Sequence, residues 1–448
     1  MKNKILLLVL GAILNISCWS FSYSQNTKAL SLKEAIELSL KNSNQLKGST
    51  ARIEEATAAL KEAVERRLPD VNASASYLRL NSANVDLKVK TENAGSGGNG
   101  GNNATSSPNI SQAAYGMVNA SLPIYAGSRI KYGIESAKYL EEAEKLDAQN
   151  NREGLIINTI DAYNNLYKAK LAVDLVGESL QQAQQRVKEF SNLEKNGLLA
   201  RNDLLKAELQ FSNTQLSLLD AENNWKLANV NMNLMLGLPD SIQLALDSAS
   251  LQTNISITPL EDYVQQGLQN RKDLSALNYR RKAANTGIKA ANAEKYPSIA
   301  LSAGYVALDV PGFLTVTNAA NVGVGLQYSL SSLWKTNAKV QQAKAREKQV
   351  EANEAALTDA ITLQINQAYQ NYLLSVKKID VYSTAVAQAT ENYKIVNNKY
   401  QNGLETVTNL LEADLAQLQA KLNYAFAKSD ATVAYDKLLQ SAGLLKDK

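Results

Sequence analysis

The feature that most constrains the fold of this chain is an internal duplication. Residues 162–167 (AYNNLY) recur as residues 368–373 (AYQNYL), an offset of 206 (368 minus 162). The tripeptide Asn-Gly-Leu at 196–198 recurs at 402–404 with the same offset. A constant offset over this distance indicates two repeats of one structural unit.

The first repeat contains an insertion that the second lacks. Residues 69–77 correspond to residues 297–305 at an offset of 228 (297 minus 69), which is 22 more than the offset found further along the chain (228 minus 206). The extra residues follow Tyr77, where the glycine-rich run 95–101 (GSGGNGG) lies. A phosphate-binding loop would need a following helix that opens with Lys-Ser/Thr, which is missing here. The run is therefore interpreted as a flexible linker.

Two stretches of the chain, about 127–237 and about 331–443, are long and free of proline. Because proline breaks helix interiors, these stretches are where long helices can form. Each stretch is divided once by an Asn-Gly pair, since glycine supplies the left-handed residue that ends a helix. The arm from 127 to 196 has 70 residues (196 minus 127, plus one), or about 105 Å of helix at 1.5 Å per residue. No compact globule needs such an arm.

A shorter helix is predicted ahead of the strands of each repeat. The capping boxes 31–34 (SLKE) and 258–261 (TPLE) indicate where these two helices begin. Both helices are expected to run unbroken to a proline, ending near Arg67 and Lys295.

Between the helices, apolar and small polar residues alternate with a period of two, which is typical of strands. Four strands are predicted, at about 69–80, 113–124, 297–307 and 321–330. Strands of about ten residues with one apolar face are typical of an outer-membrane barrel. Taken alone, they are equally compatible with a periplasmic hairpin that buries one face. The predicted fold class is mainly α, with a membrane β-barrel part.

Residues 1–24 have the layout of a secretory signal peptide, with basic residues, an apolar run at 5–16 and small residues before a cut at Gln25. The mature protein is therefore expected to leave the cytoplasm. Cys18 could instead be the lipidated residue of a lipoprotein signal, an alternative that the residues leave open. With the cut before Gln25, the mature chain has no cysteine for a disulfide or a thiolate metal site.

Composition argues against catalysis, cofactors, metals and nucleic acid. The chain has no histidine, which is the commonest general base and metal ligand. Adjacent acidic pairs such as Glu54-Glu55 and Glu141-Glu142 diverge on a helix, so they do not provide the convergent groups that an active site needs. The formal charge of +4 falls to +2 without Lys2 and Lys4 (4 minus 2), which is too small to indicate a nucleic-acid partner.

The duplicated order of helix, strand, strand, very long helix, turn and helix resembles the TolC family of outer-membrane efflux proteins. Three short segments carry the likeness: 122–127 (LPIYAG), 195–198 (KNGL) with Asp203 after it, and 399–403 (KYQNG) ahead of 410–413 (LLEA). The resemblance covers essentially the whole mature chain. It divides that chain into a first repeat at 25–257 and a second at 258–448, with tip turns at 196–198 and 402–404.

The resemblance implies a homotrimer in outer-membrane lipid. Four strands cannot close a barrel, and an open sheet edge cannot be left in lipid, so an oligomer is required. Two chains would supply eight strands and three would supply twelve, and the resemblance implies three. By the same likeness, the duct would open into the periplasm and serve an inner-membrane pump of RND or ABC type through a periplasmic adaptor (membrane fusion protein). The residues assigned to adaptor docking are Gly197, Leu198, Gly403 and Leu404.

The resemblance also implies a closed, acid-lined periplasmic entrance. The family has an Asp after the first tip turn, a Tyr before the second, an Arg just beyond it and two ring Asp further along. The corresponding residues here are Asp203, Tyr400, Glu405, Asn409 and Glu412. Because Glu405 replaces the Arg, a link to Asp203 would be repulsive. The entrance must therefore either close through other groups, with Arg201 and Lys399 as candidates, or be looser at rest.

The main alternative is a wholly periplasmic coiled-coil protein, such as the adaptor itself or a scaffold. Adaptors usually carry one helical hairpin flanked by strand-rich domains, whereas this chain has two hairpins that alternate with two strand pairs. The duplication therefore favours the channel. The cargo, whether drug, metal, protein or polysaccharide, is not encoded in these features.

Overall fold

A computed structural model describes residues 27–84, 109–247 and 257–445 of the chain. The predicted signal peptide, Cys18 and the glycine-rich run lie outside these residues. Eight helices are described: α1 (Leu32–Asn42), α2 (Asn44–Glu65), α3 (Arg129–Lys195), α4 (Arg201–Leu236), α5 (Leu260–Asn270), α6 (Lys272–Ala293), α7 (Ser332–Gln401) and α8 (Val407–Ser441). Six strands are described: β1 (Thr27–Leu30), β2 (Asp70–Asn84), β3 (Asn109–Ala126), β4 (Gln243–Leu246), β5 (Ser298–Val310) and β6 (Leu314–Gln327). The prediction of a mainly α chain with a small number of strands is confirmed.

The chain divides into two compact units, and each unit takes segments from both repeats. The helical unit comprises Met1–Ser49, Ala148–Lys272 and Thr358–Lys448. The sheet unit comprises Thr50–Asp147 and Asp273–Leu357. The repeat boundaries at 257 and 258 stay a prediction.

The sheet unit is built on four antiparallel strands in the order β2-β3-β5-β6. The register places Ser76 opposite Tyr115, and Val118 opposite Tyr305. The two repeats therefore meet where β3 pairs with β5. Among the described strands, β2 and β6 each pair on one side only.

The strand boundaries differ from those predicted. The strand expected at about 321–330 begins at Leu314 and ends at Gln327. Residues 314–317 (LTVT) alternate as well, but residues 318–320 (NAA) interrupt the pattern, and backbone pairing with β5 continues the strand across the interruption. At the other end the alternation continues to Leu330, but the Ser332 amide donates to the Ser329 carbonyl (2.9 Å) and turns the chain into α7. The first pair is also longer than expected, because Ala83 and Ile110 still pair beyond the apolar pattern.

The core of the helical unit surrounds Tyr163 of α3. Its buried neighbours include Leu30, Ile36, Ile160 and Leu236. The Tyr163 hydroxyl donates to the carbonyls of Leu30 and Asp247, both at 3.1 Å, at the ends of the parallel pair β1 and β4. One buried tyrosine thus anchors the segments that lead into and out of the first repeat.

The return helix α4 ends at Gly237, as the sequence predicted. Gly237 has a φ of +68°. A Cβ there would lie 2.9 Å from the Cβ of Asn42, whose amide donates to the Leu236 carbonyl (2.6 Å). Both the backbone angle and the space require glycine.

The helices expected to run unbroken to Arg67 and Lys295 are each broken once, so that prediction is wrong. Ser43 ends α1 with an extended backbone, and its hydroxyl accepts from the Leu46 amide (3.3 Å) as the cap of α2. In the second repeat, Arg271 lies between α5 and α6.

Of the two predicted capping boxes, the first forms its serine cap, while the Glu34 carboxylate pairs with Lys28 (2.9 Å), and the second does not form. Ser31 accepts from the Glu34 amide (3.2 Å). In the second repeat the cap residue is Pro259, not Thr258, because the extended backbone of Pro259 delays the helix until Leu260. None of the helices described is both long enough and apolar enough to cross a membrane.

Candidate functional site

The two Asn-Gly turns of the helical unit have the same backbone geometry. Gly197 and Gly403 have φ values of +71° and +73°. The amides of the following residues reach back to close each helix, from Leu198 to the Leu193 carbonyl (2.8 Å) and from Leu404 to the Lys399 carbonyl (2.9 Å). This is the pattern in which a left-handed glycine ends a helix. No atom lies within 4 Å of a Cβ built on either glycine, so backbone conformation alone selects the residue.

Each turn presents one leucine outward. Leu198 is 74% exposed and Leu404 is 75% exposed. The next residue along the first turn, Leu199, packs against the cluster beneath it instead. Two exposed leucines at equivalent positions of the repeats therefore form a matched pair of apolar contact points.

Beneath the turns lies a compact cluster, here called the tip cluster, to which all four long helices contribute. Its buried members are Phe190, Leu204, Ala207, Val407 and Leu410. Tyr400 packs on Phe190 with ring centroids 5.6 Å apart. Burial, and next the charge of Asp203, raise the pKa of Tyr400. The cluster holds the turns of both repeats in one body.

The predicted entrance residue Asp203 lies on the first turn of α4. It pairs with Lys206 at 3.1 Å, and the same ammonium donates to the Thr408 hydroxyl at 3.1 Å. A polar chain thus runs from α4 to α8 across the repeats. Arg201, one of the two candidates for holding the entrance closed, contacts the Glu194 carboxylate at 3.9 Å.

Glu405 lies just before the cap residue of α8, Thr406. Its carboxylate accepts from the Asn409 amide group and from the Thr406 backbone N–H (3.1 Å). The hydrogen bond from Asn409 and then that from Thr406 hold the pKa of Glu405 below its usual value, with a smaller contribution from Lys399. Within the described residues 109–247 and 257–445, Asp203 and Glu405 are not joined by a hydrogen bond or an ion pair.

The remaining predicted entrance residues, Asn409 and Glu412, lie on the exposed surface of α8. Asn409 also donates its backbone N–H to the Thr406 hydroxyl (3.2 Å), which caps the helix. Glu412 is therefore available to groups outside the chain.

A buried ion pair, which the sequence analysis missed, lies one level below the tip cluster. Arg186 of α3 donates to the Asp414 carboxylate of α8 at 2.6 Å, and both side chains are only 9% exposed. Arg186 also donates to the Tyr393 hydroxyl of α7 at 3.1 Å. Burial opposes the charge on Arg186, but Asp414 and Tyr393 outweigh it and raise the pKa of the guanidinium. Three helices from both repeats thus share one charged contact.

The signal for this pair is present in the sequence. Arg186 lies between Ala183 and Phe190 at steps of three and four, and Asp414 lies between Leu410 and Gln417 at the same steps. These are the positions that face a helical core. A charge in such a stripe must be paired, because an unpaired buried charge is costly.

Comparison with known proteins identifies relatives over most of the chain. The family model described as "Outer membrane efflux protein" matches residues 35–238 and 263–444. The outer membrane efflux protein BepC of Brucella suis is 22% identical over 403 residues, covering 89% of this chain and 87% of that protein. The outer membrane protein TolC of Vibrio cholerae is 22% identical over 326 residues, covering 68% of this chain and 72% of that protein.

The fold is also found in solved structures. The outer membrane protein VceC of Vibrio cholerae superimposes with a TM-score of 0.74 at 20% identity, covering 92% of this chain and 96% of that one. The match spans both units, so the TolC-like fold predicted from the element order is confirmed.

Proposed function

Since the chain belongs to the outer membrane efflux protein family, it acts in the outer membrane as an efflux channel, and we propose that it is the passive exit duct of a tripartite efflux or type I secretion system. The observation that carries the proposal is the match of the family model to both repeats, residues 35–238 and 263–444. The match favours the channel over the alternative of a wholly periplasmic adaptor or scaffold. As a passive duct, the protein has no enzymatic step of its own.

The proposed channel is a homotrimer. Strands β2 and β6 of the described sheet each leave one side unpaired. In lipid, unpaired backbone groups must find partners, and a closed barrel provides them. Three chains of four such strands give a barrel of twelve.

The proposed partners of the duct are a periplasmic adaptor and an inner-membrane pump of RND or ABC type. The adaptor would contact the tip turns through Gly197, Leu198, Gly403 and Leu404. Exposed leucines on a rigid, well-packed tip cluster support this assignment, because a preorganised apolar contact loses little conformational entropy on binding.

The periplasmic entrance of the proposed channel lies beside the tip turns, with Asp203, Tyr400, Glu405, Asn409 and Glu412. Asp203 is paired with Lys206, and the Glu405 carboxylate accepts hydrogen bonds from Asn409 and Thr406, so each of the two acids has partners within the chain. The buried contact of Arg186 with Asp414 joins helices of both repeats. We assign to that contact the role of holding the helices together while the entrance is closed.

The deciding experiment is export in a strain that lacks the native gene, with the Leu198→Asp/Leu404→Asp double variant. Carboxylates at the two turns should reduce export at least tenfold, because they would have to be desolvated at the adaptor contact. The matched control, Leu198→Met/Leu404→Met, keeps an apolar side chain and should export normally. Normal export by the aspartate variant, at parental levels in the outer membrane, would reject the docking role.

A further inference from the structure

One row of residues across the four-stranded sheet consists of three asparagines and a glycine. Asn72 of β2 lies opposite Asn119 of β3, and Asn119 lies opposite Gly304 of β5. Gly304 lies opposite Asn321 of β6. The row therefore crosses every strand of the sheet at one level. We call its three asparagines the amide row.

Gly304 makes room for two of these amides to converge. A Cβ built on Gly304 would lie 2.5 Å from the Oδ1 atom of Asn321 and 2.8 Å from the Oδ1 atom of Asn119. The two oxygens are therefore at most 5.3 Å apart (2.5 plus 2.8), although β5 separates their strands. Because Gly304 does not have a positive φ, space and not backbone conformation selects glycine at this position.

The amide row lies on the polar face of the sheet. The next row on the same face consists of one acid, two serines and a glycine, namely Asp70, Ser121, Ser302 and Gly323. The row between them, on the opposite face, is apolar and consists of Val71, Ala120, Ala303 and Val322. In an outer-membrane barrel, the apolar face of the strands contacts lipid and the polar face lines the interior. The amide row therefore faces the lumen of the proposed channel.

The polar face carries almost no charge. The four strands contain three charged residues, Asp70, Arg79 and Asp309. Arg79 comes seven positions after Asn72 (79 minus 72), and Asp309 comes five positions after Gly304 (309 minus 304). Side chains an odd number of positions apart in a strand point to opposite faces. Among the described strand residues, Asp70 is thus the one charge on the face of the amide row, and an ionic solute finds few partners there.

The amide row has unused capacity for hydrogen bonds. All three asparagines are exposed, and none of their side chains makes a hydrogen bond within residues 27–84, 109–247 and 257–445. A side-chain amide offers two N–H donors and an acceptor oxygen side by side, and a hydroxyl group is likewise both a donor and an acceptor. Neighbouring amides therefore match a neutral molecule that carries several hydroxyl groups.

We propose that the amide row binds uncharged, polyhydroxylated molecules of the oligosaccharide class inside the barrel, an inference that rests on the channel function and the trimer proposed above. Three chains supply nine such amides (three times three). Because barrel strands tilt by about 35–45°, each row runs obliquely, and a solute that moves along the axis meets amides at successive heights. Each hydrogen bond to the solute replaces one to water, so the net gain is small and the solute can leave again.

The site is tested by single-channel recording in planar bilayers, with maltoheptaose added on the extracellular side. The sugar should interrupt the current of the parent reversibly, and the frequency and length of the interruptions give its association constant. Polyethylene glycol of the same hydrodynamic size is the control solute, because its ether oxygens accept hydrogen bonds but cannot donate them. One net hydrogen bond is worth about fivefold in affinity, so the polymer should bind at least fivefold more weakly.

The converging amides are tested with the Asn119→Ala/Asn321→Ala double variant. Its association constant for maltoheptaose should be at least fivefold lower than that of the parent, because at least one net hydrogen bond is lost. The control, Asn213→Ala/Asn223→Ala, removes two exposed amides from α4 of the helical unit and should bind the sugar as the parent does.

Gly304→Ala tests the arrangement without removing an amide. Its Cβ must displace the oxygens of Asn119 and Asn321, so the association constant should again fall about fivefold. Gly325→Ala is the matched control on the same face of the sheet. The nearest atom to a Cβ at Gly325 is the Ala300 carbonyl oxygen at 3.9 Å, which is an ordinary contact, and sugar binding should be unchanged.

The conductance of the parent separates this proposal from the proposed function. Weaker sugar binding by conducting Asn119→Ala/Asn321→Ala and Gly304→Ala channels, with both control variants unchanged, supports the amide site. A conducting parent that maltoheptaose does not interrupt, or that polyethylene glycol interrupts equally, overturns the amide site and leaves the channel function intact, as do conducting variants with the parental association constant. A parent that does not conduct overturns both.

Discussion

At the residue scale, the buried ion pair of Arg186 and Asp414 is the contact whose loss should most affect the stability of the helical unit. Each is almost fully buried, and each is the other's charge partner. Taking two charges out of water costs several kcal/mol per ion, which their attraction only partly offsets. Removing one partner is worse, because it leaves an unpaired charge in the core.

We predict that Asp414→Asn destabilises the helical unit by about 3 kcal/mol, since breaking a buried pair typically costs about 3–5 kcal/mol and asparagine keeps part of the hydrogen bonding. Thermal unfolding followed by circular dichroism measures the loss. The double variant Arg186→Met/Asp414→Leu should recover most of it, because apolar side chains of similar size fill the site without a charge. If Asp414→Asn unfolds like the parent, the pair carries no stability.

Glu412 is the residue on which the proposed entrance ring depends. It is exposed on α8, and three subunits would bring three such carboxylates around one axis. A trivalent cation added from the periplasmic side should block single-channel current in the parent, and the block should vanish in Glu412→Gln. Glu391→Gln, which neutralises an exposed acid elsewhere in the helical unit, should keep the block. Equal block in all three proteins would contradict the ring.

The raised pKa of Tyr400 predicts how the stability of the fold depends on pH. Its pKa is raised in the folded protein, mainly by burial, so folding favours the protonated phenol. That contribution is fully present below about pH 10, the pKa of an unperturbed tyrosine, and is lost as the pH rises through the higher folded value. Tyr400→Phe has no proton to lose, so its stability should fall less than that of the parent between about pH 9.5 and 11. Denaturant unfolding across this range measures the difference, and parallel curves would exclude Tyr400 as the source.

At the scale of the element, the turns and the helix end at Gly237 were predictable from the sequence, whereas the strand ends and the breaks within the shorter helices were not. Positions 197 and 403 require glycine because their backbone φ is positive. This is a local property, and the Asn-Gly pairs in the sequence indicate it. The start of β6 depends on backbone pairing with β5, and the break at Ser43 depends on one hydroxyl that caps the next helix. Pairing partners and side-chain caps are contacts between segments, and a periodic pattern within one segment does not contain them.

Substitutions at Gly403 test whether export depends on the conformation of the second tip turn. Gly403→Pro cannot adopt the φ of +73° and removes the amide that donates to the Tyr400 carbonyl (2.9 Å), so the turn must rearrange. Export should be abolished, while the amount of protein in the outer membrane stays within about twofold of the parent, because residue 403 and the sheet belong to different units. Gly403→Asn, a residue that tolerates positive φ, should retain most export. Full export by the proline variant would mean that the turn only connects two helices.

For the whole molecule, the edge strands β2 and β6 determine how one chain can be joined to another. In one chain, β2 and β6 are separated by β3 and β5, a distance of about 14 Å at three strand spacings. A disulfide needs Cα atoms less than about 7 Å apart. Cysteines placed in β2 and in β6 therefore cannot join within a chain and can only join between chains.

We predict that a scan of such pairs, with one cysteine near Ala75 and the other near Val322, yields a ladder of cross-linked species that ends at three chains on a denaturing gel. A closed ring of twelve strands brings β2 of each subunit beside β6 of the next, so every chain can be linked on both sides. Chains with only one of the two cysteines should stay uncross-linked, because like edges do not meet in a ring. Native mass measurement of the parent in mild detergent should give three chains, and a monomer there, or a ladder that ends at two, would contradict the trimer.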